Sequence, residues 1–249
     1  MTDQVRVVFA GPSGRTGHAT GAALDLMQGV DIVGAVGHQS AGRDLGDLWH
    51  GQADGRQVYA DVRQAIAALR PDVLCDFTLA EVAEGHLRLA LRAGVRPVVG
   101  TTGLSEEALR DAEAICRQTG LAAAVIANFS IVAWLLEQMA QLTLPYFDGV
   151  ELIEMHAASK RDKPSGTARR LRSLLEQKGE REVPVHSVRL PGLVAHQEVI
   201  LGTQGEVLTL RHDALDRSCY AAGLRLAVLG IGRAEGVVHD LGAFLPPFA

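Results

Sequence analysis

The stretch Val5-Arg6-Val7-Val8-Phe9-Ala10-Gly11-Pro12-Ser13-Gly14-Arg15-Thr16-Gly17 decides the architecture of this chain. Its first six residues form an apolar, β-rich run that stops at a glycine, the pattern of a buried strand. Residues 15–27 then have helical character. Glycines between a strand and a helix permit a tight turn, let backbone approach a diphosphate closely, and let the helix pack tightly on the strand. The start of the helix offers unpaired backbone N–H groups to phosphate oxygens. Pro12 has no N–H and donates nothing. The spacing is Gly-x-x-Gly-x-x-Gly, not the commoner Gly-x-Gly-x-x-Gly, and a plain structural turn would also accommodate it.

Beyond this turn the chain keeps alternating. Residues 31–36, 72–76, 96–99 and 121–126 read as strands, and residues 80–93 and 105–118 as helices. Strict alternation with short connections predicts a parallel sheet with crossover helices, a Rossmann-like α/β domain. Near Ala127 the rhythm changes. Residues 149–155 read as a strand and 165–178 as a helix capped by Ser165 or Thr167. Residues 185–190, 195–201 and 206–212 follow as three strands with no helix between them, and residues 218–229 are helical again. Strands in succession predict a smaller α+β domain with a mixed sheet, and a two-lobed chain with the active site between its lobes.

Composition agrees with this class. The 249 residues are 47% hydrophobic and 21% charged but only 4% aromatic, which favours Ala-rich helices on β-branched strands. A net charge of −5 without a basic tract argues against general nucleic-acid binding. The three cysteines, Cys75, Cys116 and Cys219, are odd in number and far apart, so neither a disulfide framework nor a zinc site is expected. No secretory pattern and no membrane-length apolar run is seen, and a cytoplasmic protein without membrane or metal is expected.

Two clusters carry chemistry. On the nucleotide side, the second strand ends at Val36-Gly37-His38-Gln39-Ser40. A carboxylate commonly stands there to hold the ribose hydroxyls. Gly37 takes its place, so nothing repels a 2′-phosphate, and His38, Gln39, Ser40 or Arg43 can meet one. This favours NADPH over NADH. Asp76-Phe77-Thr78, Gly100-Thr101-Thr102-Gly103 and Asn128-Phe129-Ser130 follow other strands, at the carboxyl edge where ligands bind.

The other cluster is Glu154-Met155-His156-Ala157-Ala158-Ser159-Lys160-Arg161-Asp162-Lys163-Pro164-Ser165-Gly166-Thr167-Ala168. It sets an imidazole and two ammonium groups beside a helix start whose amides and hydroxyls suit a carboxylate. A lysine-rich surface loop before a capped helix would contain the same residues. Proton donors beside an anion cradle point to chemistry on a small anionic molecule.

In this order the motifs resemble those of the bacterial dihydrodipicolinate reductase family, and the resemblance spans essentially the whole chain. Its most specific piece runs from His156 and Lys160 through Pro164-Ser165-Gly166-Thr167-Ala168. The resemblance implies hydride transfer from NADPH or NADH to a cyclic dicarboxylate imine, 4-hydroxy-tetrahydrodipicolinate, in lysine and diaminopimelate biosynthesis. It implies His156 and Lys160 as the proton-donating pair, and Ser165, Gly166 and Thr167 as holders of a substrate carboxylate. Gly11, Gly14, Arg15, Thr16 and Gly17 resemble the pyrophosphate turn. Phe77, Gly100, Thr102, Asn128 and Phe129 resemble the nicotinamide-side contacts and Arg217 an arginine near the cofactor, and Thr101 and His38 complete the expected cofactor-binding set.

By the same resemblance, residues 1–127 and 219–249 form the dinucleotide-binding domain. Residues 128–218 form the substrate-binding and oligomerisation domain of a homotetramer. Three departures from the family pattern stand out: Ala157 replaces a second histidine, Val132-Ala133-Trp134 replaces a Gly-small-Asn run, and Val194-Ala195-His196 replaces Gly-Glu-His. The first two motivate the alternative of a non-catalytic NAD(P)-binding sensor or scaffold of the same fold.

Overall fold

A computed structural model describes residues 4–179 and 181–246. Its strands are, in chain order, Val5–Ala10 (β1), Val30–Val36 (β2), Val58–Tyr59 (β3), Val73–Asp76 (β4), Arg96–Val99 (β5), Ala123–Val125 (β6), Gly149–Ala157 (β7), Val185–Leu190 (β8), Ala195–Thr203 (β9), Glu206–Ala214 (β10) and Val237–Val238 (β11). The α-helices are Arg15–Asp25 (α1), Leu45–His50 (α2), Val62–Leu69 (α3), Ala80–Arg92 (α4), Glu106–Thr119 (α5), Ile131–Thr143 (α6), Gly166–Gly179 (α7) and Ala221–Gly230 (α8).

The chain divides into two units. The described residues up to Phe129 and from Arg217 onward make the first, and Ser130–Asp216 the second. The first is a Rossmann-like sheet of seven strands in the order β11-β6-β5-β4-β1-β2-β3, with every pairing parallel. Val7, Val8, Phe9 and Ala10 are wholly buried in β1, as a strand covered by helices on both faces requires. α5 illustrates how completely local chemistry can specify an element. Ser105 Oγ accepts the Ala108 N–H, Glu106 and Glu107 occupy the positive end, and Gly120 closes the helix in the left-handed region.

The second unit is a four-stranded mixed sheet in the order β10-β9-β7-β8. β9 runs antiparallel to β7 and β10, whereas β8 is parallel to β7, the crossover between them carrying α7. One face of the sheet buries Val150, Leu152, Val199 and Leu201 against Leu136 of α6 and Leu171 of α7.

Five elements lie outside the sequence reading: α2, β3 and α3 between the second and third strands read from sequence, α6, and β11. The segment read as a helix over 218–229 begins as a single 3-10 turn, Arg217–Tyr220, before α8.

The chain re-enters the first unit at Arg217 and adds β11 beside β6, Val237 opposite Ala123. This return depends on Gly223 in α8, where a Cβ would run into the Phe129 carbonyl oxygen. Gly223→Ala is therefore expected to lose about 1–3 kcal/mol of stability through overpacking. A calorimetric melt that matches the wild-type would contradict this contact.

Candidate active site

The first unit gathers the predicted nucleotide contacts along the carboxyl edge of its sheet. Gly11 adopts φ +86°, and a Cβ there would sit 2.8 Å from the Phe77 carbonyl oxygen. A Cβ on Gly17 would strike the Gly11 carbonyl, so the first turn of α1 can press against the glycine loop only without side chains. Gly14 caps α1 without a side-chain bond, which leaves the amides of Arg15, Thr16 and Gly17 at a helix start with no intrahelical acceptor. Backbone cleared of side chains and unpaired N–H groups fit a diphosphate.

The neighbouring loops are tied to one another. The Asp76 carboxylate, wholly buried at the end of β4, accepts the Thr78 N–H at 2.8 Å, the Thr78 hydroxyl at 2.6 Å and His86 Nδ1 at 2.7 Å. Thr101 Oγ1 donates to the Thr78 carbonyl at 3.0 Å. Phe77 stacks on Phe9 with centroids 5.4 Å apart and tilts against Phe129 at 5.9 Å. Gly100 makes room for the Phe77 ring. Phe129 is itself buried, so it shapes this edge by packing. Thr102 is exposed and Asn128 half-buried, while Arg217 accepts the Thr20 hydroxyl at 3.2 Å through its carbonyl. His38 is exposed beyond β2. Beside it a Cβ on Gly37 would lie 2.5 Å from Ser40 Oγ, and that buried hydroxyl has no partner among the described residues.

The second unit builds the acid–base cluster. Along β7 the buried side chains alternate, Val150, Leu152, Glu154, His156, so the last two replace apolar residues on the inward face. Glu154 is completely buried. Its Oε1 accepts Arg189 Nη2 from β8 at 2.7 Å, and its Oε2 lies 2.5 Å from His156 Nδ1. Burial pushes the Glu154 carboxyl upward, but hydrogen bonds from Arg189, Ser187 and His156 outweigh it and hold the group below the usual range.

His156 titrates below an ordinary imidazole, first because it is buried and further because Lys160 and Arg189 are cationic, although Glu154 opposes this. At neutral pH the ring is therefore neutral, with its proton on Nδ1 toward Glu154 and a lone pair on Nε2.

Arg189 also shapes the loop that follows β7. Its Nε donates to the Lys160 carbonyl at 3.2 Å and its Nη2 to the Asp162 carbonyl at 2.6 Å. Lys160 is thereby held near His156, with its ammonium 2.9 Å from Asp162. Ser165 is buried, and its hydroxyl accepts the Ala168 N–H as the cap of α7. The exposed cradle is left to the amides of Gly166 and Thr167, the first two of the helix, and to the Thr167 hydroxyl.

His156, Lys160, Ser165, Gly166 and Thr167 all belong to the second unit, at the end of β7, in the loop after it and at the start of α7. Glu154 and Arg189 escaped the sequence reading. They sit 35 residues apart and become partners only through the pairing of β7 with β8. The available signal was the pair Glu154 and His156 at the two-residue repeat of a strand, which gives them one face.

Residues 5–129 match the family model described as dihydrodipicolinate reductase, N-terminus, and residues 129–245 match dihydrodipicolinate reductase, C-terminus. A 4-hydroxy-tetrahydrodipicolinate reductase of Symbiobacterium thermophilum is 42% identical over 95% of this chain and 96% of its own. One from Moorella thermoacetica is 38% identical over 97% and 98%. The dipicolinate-bound dihydrodipicolinate reductase of a Paenisporosarcina species superposes with a TM-score of 0.84 at 30% identity, covering 98% of this chain and 100% of that one.

A pH dependence follows from the pair at the centre of the cluster. The folded chain holds His156 below 6.5 and Glu154 below 4.5, their ordinary values. The unfolded chain then takes up these protons first as the pH falls. Stability is full above the ordinary imidazole value and declines as acid carries the protein toward each folded pKa. Melting temperatures measured from neutral pH downward should fall, and a flat or rising profile would contradict this arrangement.

Proposed function

The chain belongs to the dihydrodipicolinate reductase family, and we propose that Lys160 and His156 carry the proton chemistry of its reaction. It is an NAD(P)H-dependent oxidoreductase of lysine and diaminopimelate biosynthesis that reduces 4-hydroxy-tetrahydrodipicolinate to tetrahydrodipicolinate. The observation that carries the assignment of roles is the buried Arg189–Glu154–His156 array, whose arginine also bonds the Lys160 carbonyl.

The reduced nicotinamide supplies the hydride. Residues 11–17 receive the pyrophosphate on the amides at the start of α1, and the Phe77, Gly100–Thr102 and Asn128 loops form the nicotinamide side. The first unit holds the dinucleotide and the second the dicarboxylate ring. One ring carboxylate rests on the Gly166 and Thr167 amides and the Thr167 hydroxyl, with Ser165 fixing the helix start that presents them.

Loss of the ring hydroxyl as water leaves a carbon–carbon double bond conjugated with the imine. As hydride adds to it, electron density moves to nitrogen, where the Lys160 ammonium stabilises and protonates it. A proton shift from nitrogen to ring carbon restores the carbon–nitrogen double bond of the product. His156, neutral and oriented by Glu154, is the neighbouring acceptor through which the proton is handed on. The absence of a carboxylate at Gly37, with His38, Gln39 and Arg43 exposed on the same loop, supports NADPH as the better cofactor.

The enzyme works in the cytoplasm. Among the described residues no helix is long and apolar enough to cross a membrane, and the thiols of Cys75 and Cys116 are buried, with their pKa pushed up by that burial. It assembles as a homotetramer through the sheets of the second unit, where Leu190 and Val207 lie exposed.

Oxidation of NADPH and NADH, followed on adding freshly generated substrate, tests this reading. Lys160→Ala should lower kcat by about 10²–10⁴ while cofactor affinity is retained. An unchanged kcat would remove Lys160 from its role. In the same assay the wild-type should show a higher kcat/KM with NADPH, and a preference for NADH would overturn the argument from Gly37.

A further inference from the structure

The register of the second sheet aligns Ser187 of β8, Glu154 of β7, Gln197 of β9 and His212 of β10 in one row across four strands. The adjacent row on that face is Val185, Leu152, Val199 and Leu210, which is entirely apolar. Facing side chains in such rows lie within reach of one another. Ser187 and Arg189 bond Glu154, Glu154 bonds His156, and His212 Nε2 lies 3.2 Å from Ser130 Oγ. Gln197 alone breaks the pattern. It is 4% exposed, and among the described residues neither its amide nitrogen nor its amide oxygen has a partner.

A buried amide with both ends unpaired opposes folding, and native proteins rarely keep one without a use. Its place supplies the use. In the sheet register Gln197 stands between Glu154 and His212, and diagonally across from His156. The other charged and titratable groups here are Arg189, Lys160 and Asp162, with Asp213 and His196 beside His212, and Glu137 of α6 paired to Arg170 of α7.

We infer that Gln197 is a positioning residue for the proton step, its amide a dipole that stabilises the Glu154–His156 pair as His156 gains and loses a proton. An amide offers N–H donors at one end and a carbonyl acceptor at the other, so it serves both charge states where water is excluded. The inference rests on the reading of His156 as part of the proton machinery.

The test is Gln197→Leu, which keeps much of the volume and removes both polar atoms. Turnover should fall by about tenfold to a hundredfold, the scale of a misplaced catalytic group, with KM within about twofold of wild-type. The melting temperature should rise by about 2–4 °C, because an unpaired buried amide is gone. Gln197→His, which retains one donor and one acceptor, should recover most of the turnover. An unchanged kcat in the leucine variant would overturn the inference. So would a joint fall in kcat and melting temperature that histidine does not restore. If the leucine variant is insoluble, Gln197→Met is judged by the same criteria. A wild-type enzyme unable to turn over the substrate would instead defeat the functional reading itself, so the two failures are distinguishable.

Discussion

Glu154 is a carboxylate removed from water, and the second unit is organised around keeping it satisfied. A buried ion pair contributes little net stability, because desolvation offsets most of the attraction, yet removing one partner typically costs about 3–5 kcal/mol. Arg189 and His156 are therefore held to Glu154 by the penalty of leaving it. Arg189 then passes the constraint onward through the Lys160 and Asp162 carbonyls, fixing the loop that carries the ammonium. A single buried charge thus sets the proton position on His156, the placement of Lys160 and the approach of the chain to Ser165, which caps α7.

The first unit depends on a different constraint, the absence of side chains. Gly11, Gly17 and Gly100 each stand where a Cβ would meet backbone or an aromatic ring. The same clearance that allows α1 and Phe77 to close on the glycine loop leaves helix-start amides facing outward. Two of the departures from the family pattern, Ala157 and His196, have a structural account. Ala157 lies on the sheet face opposite His156. His196 is fully committed, with Nδ1 2.6 Å from Asp213 and Nε2 accepting the Val194 N–H at 3.3 Å.

Much of this was legible in the chain itself where local chemistry decides. Strands such as Val5–Ala10 announce themselves by apolar runs ending in glycine, and α5 by its Ser105 cap and Gly120 stop. α6 was missed because Val132, Met139 and Leu142 are apolar yet exposed, so no polar face contrasts with the buried one. β3 and β11 are two residues each, too short for any periodicity, and exist only through their neighbours. Glu154 with Arg189, and Gln197 with His212, are products of register. No spacing along the chain encodes them, although the alternation of β7 already placed Glu154 and His156 on one side.

The central claim is that Glu154 fixes the state of His156, and nitrogen NMR reads that state directly. With the imidazole nitrogens labelled, His156 at neutral pH should be a neutral ring protonated at Nδ1 and bare at Nε2. A ring carrying its proton on Nε2, or one already doubly protonated at that pH, would contradict the account.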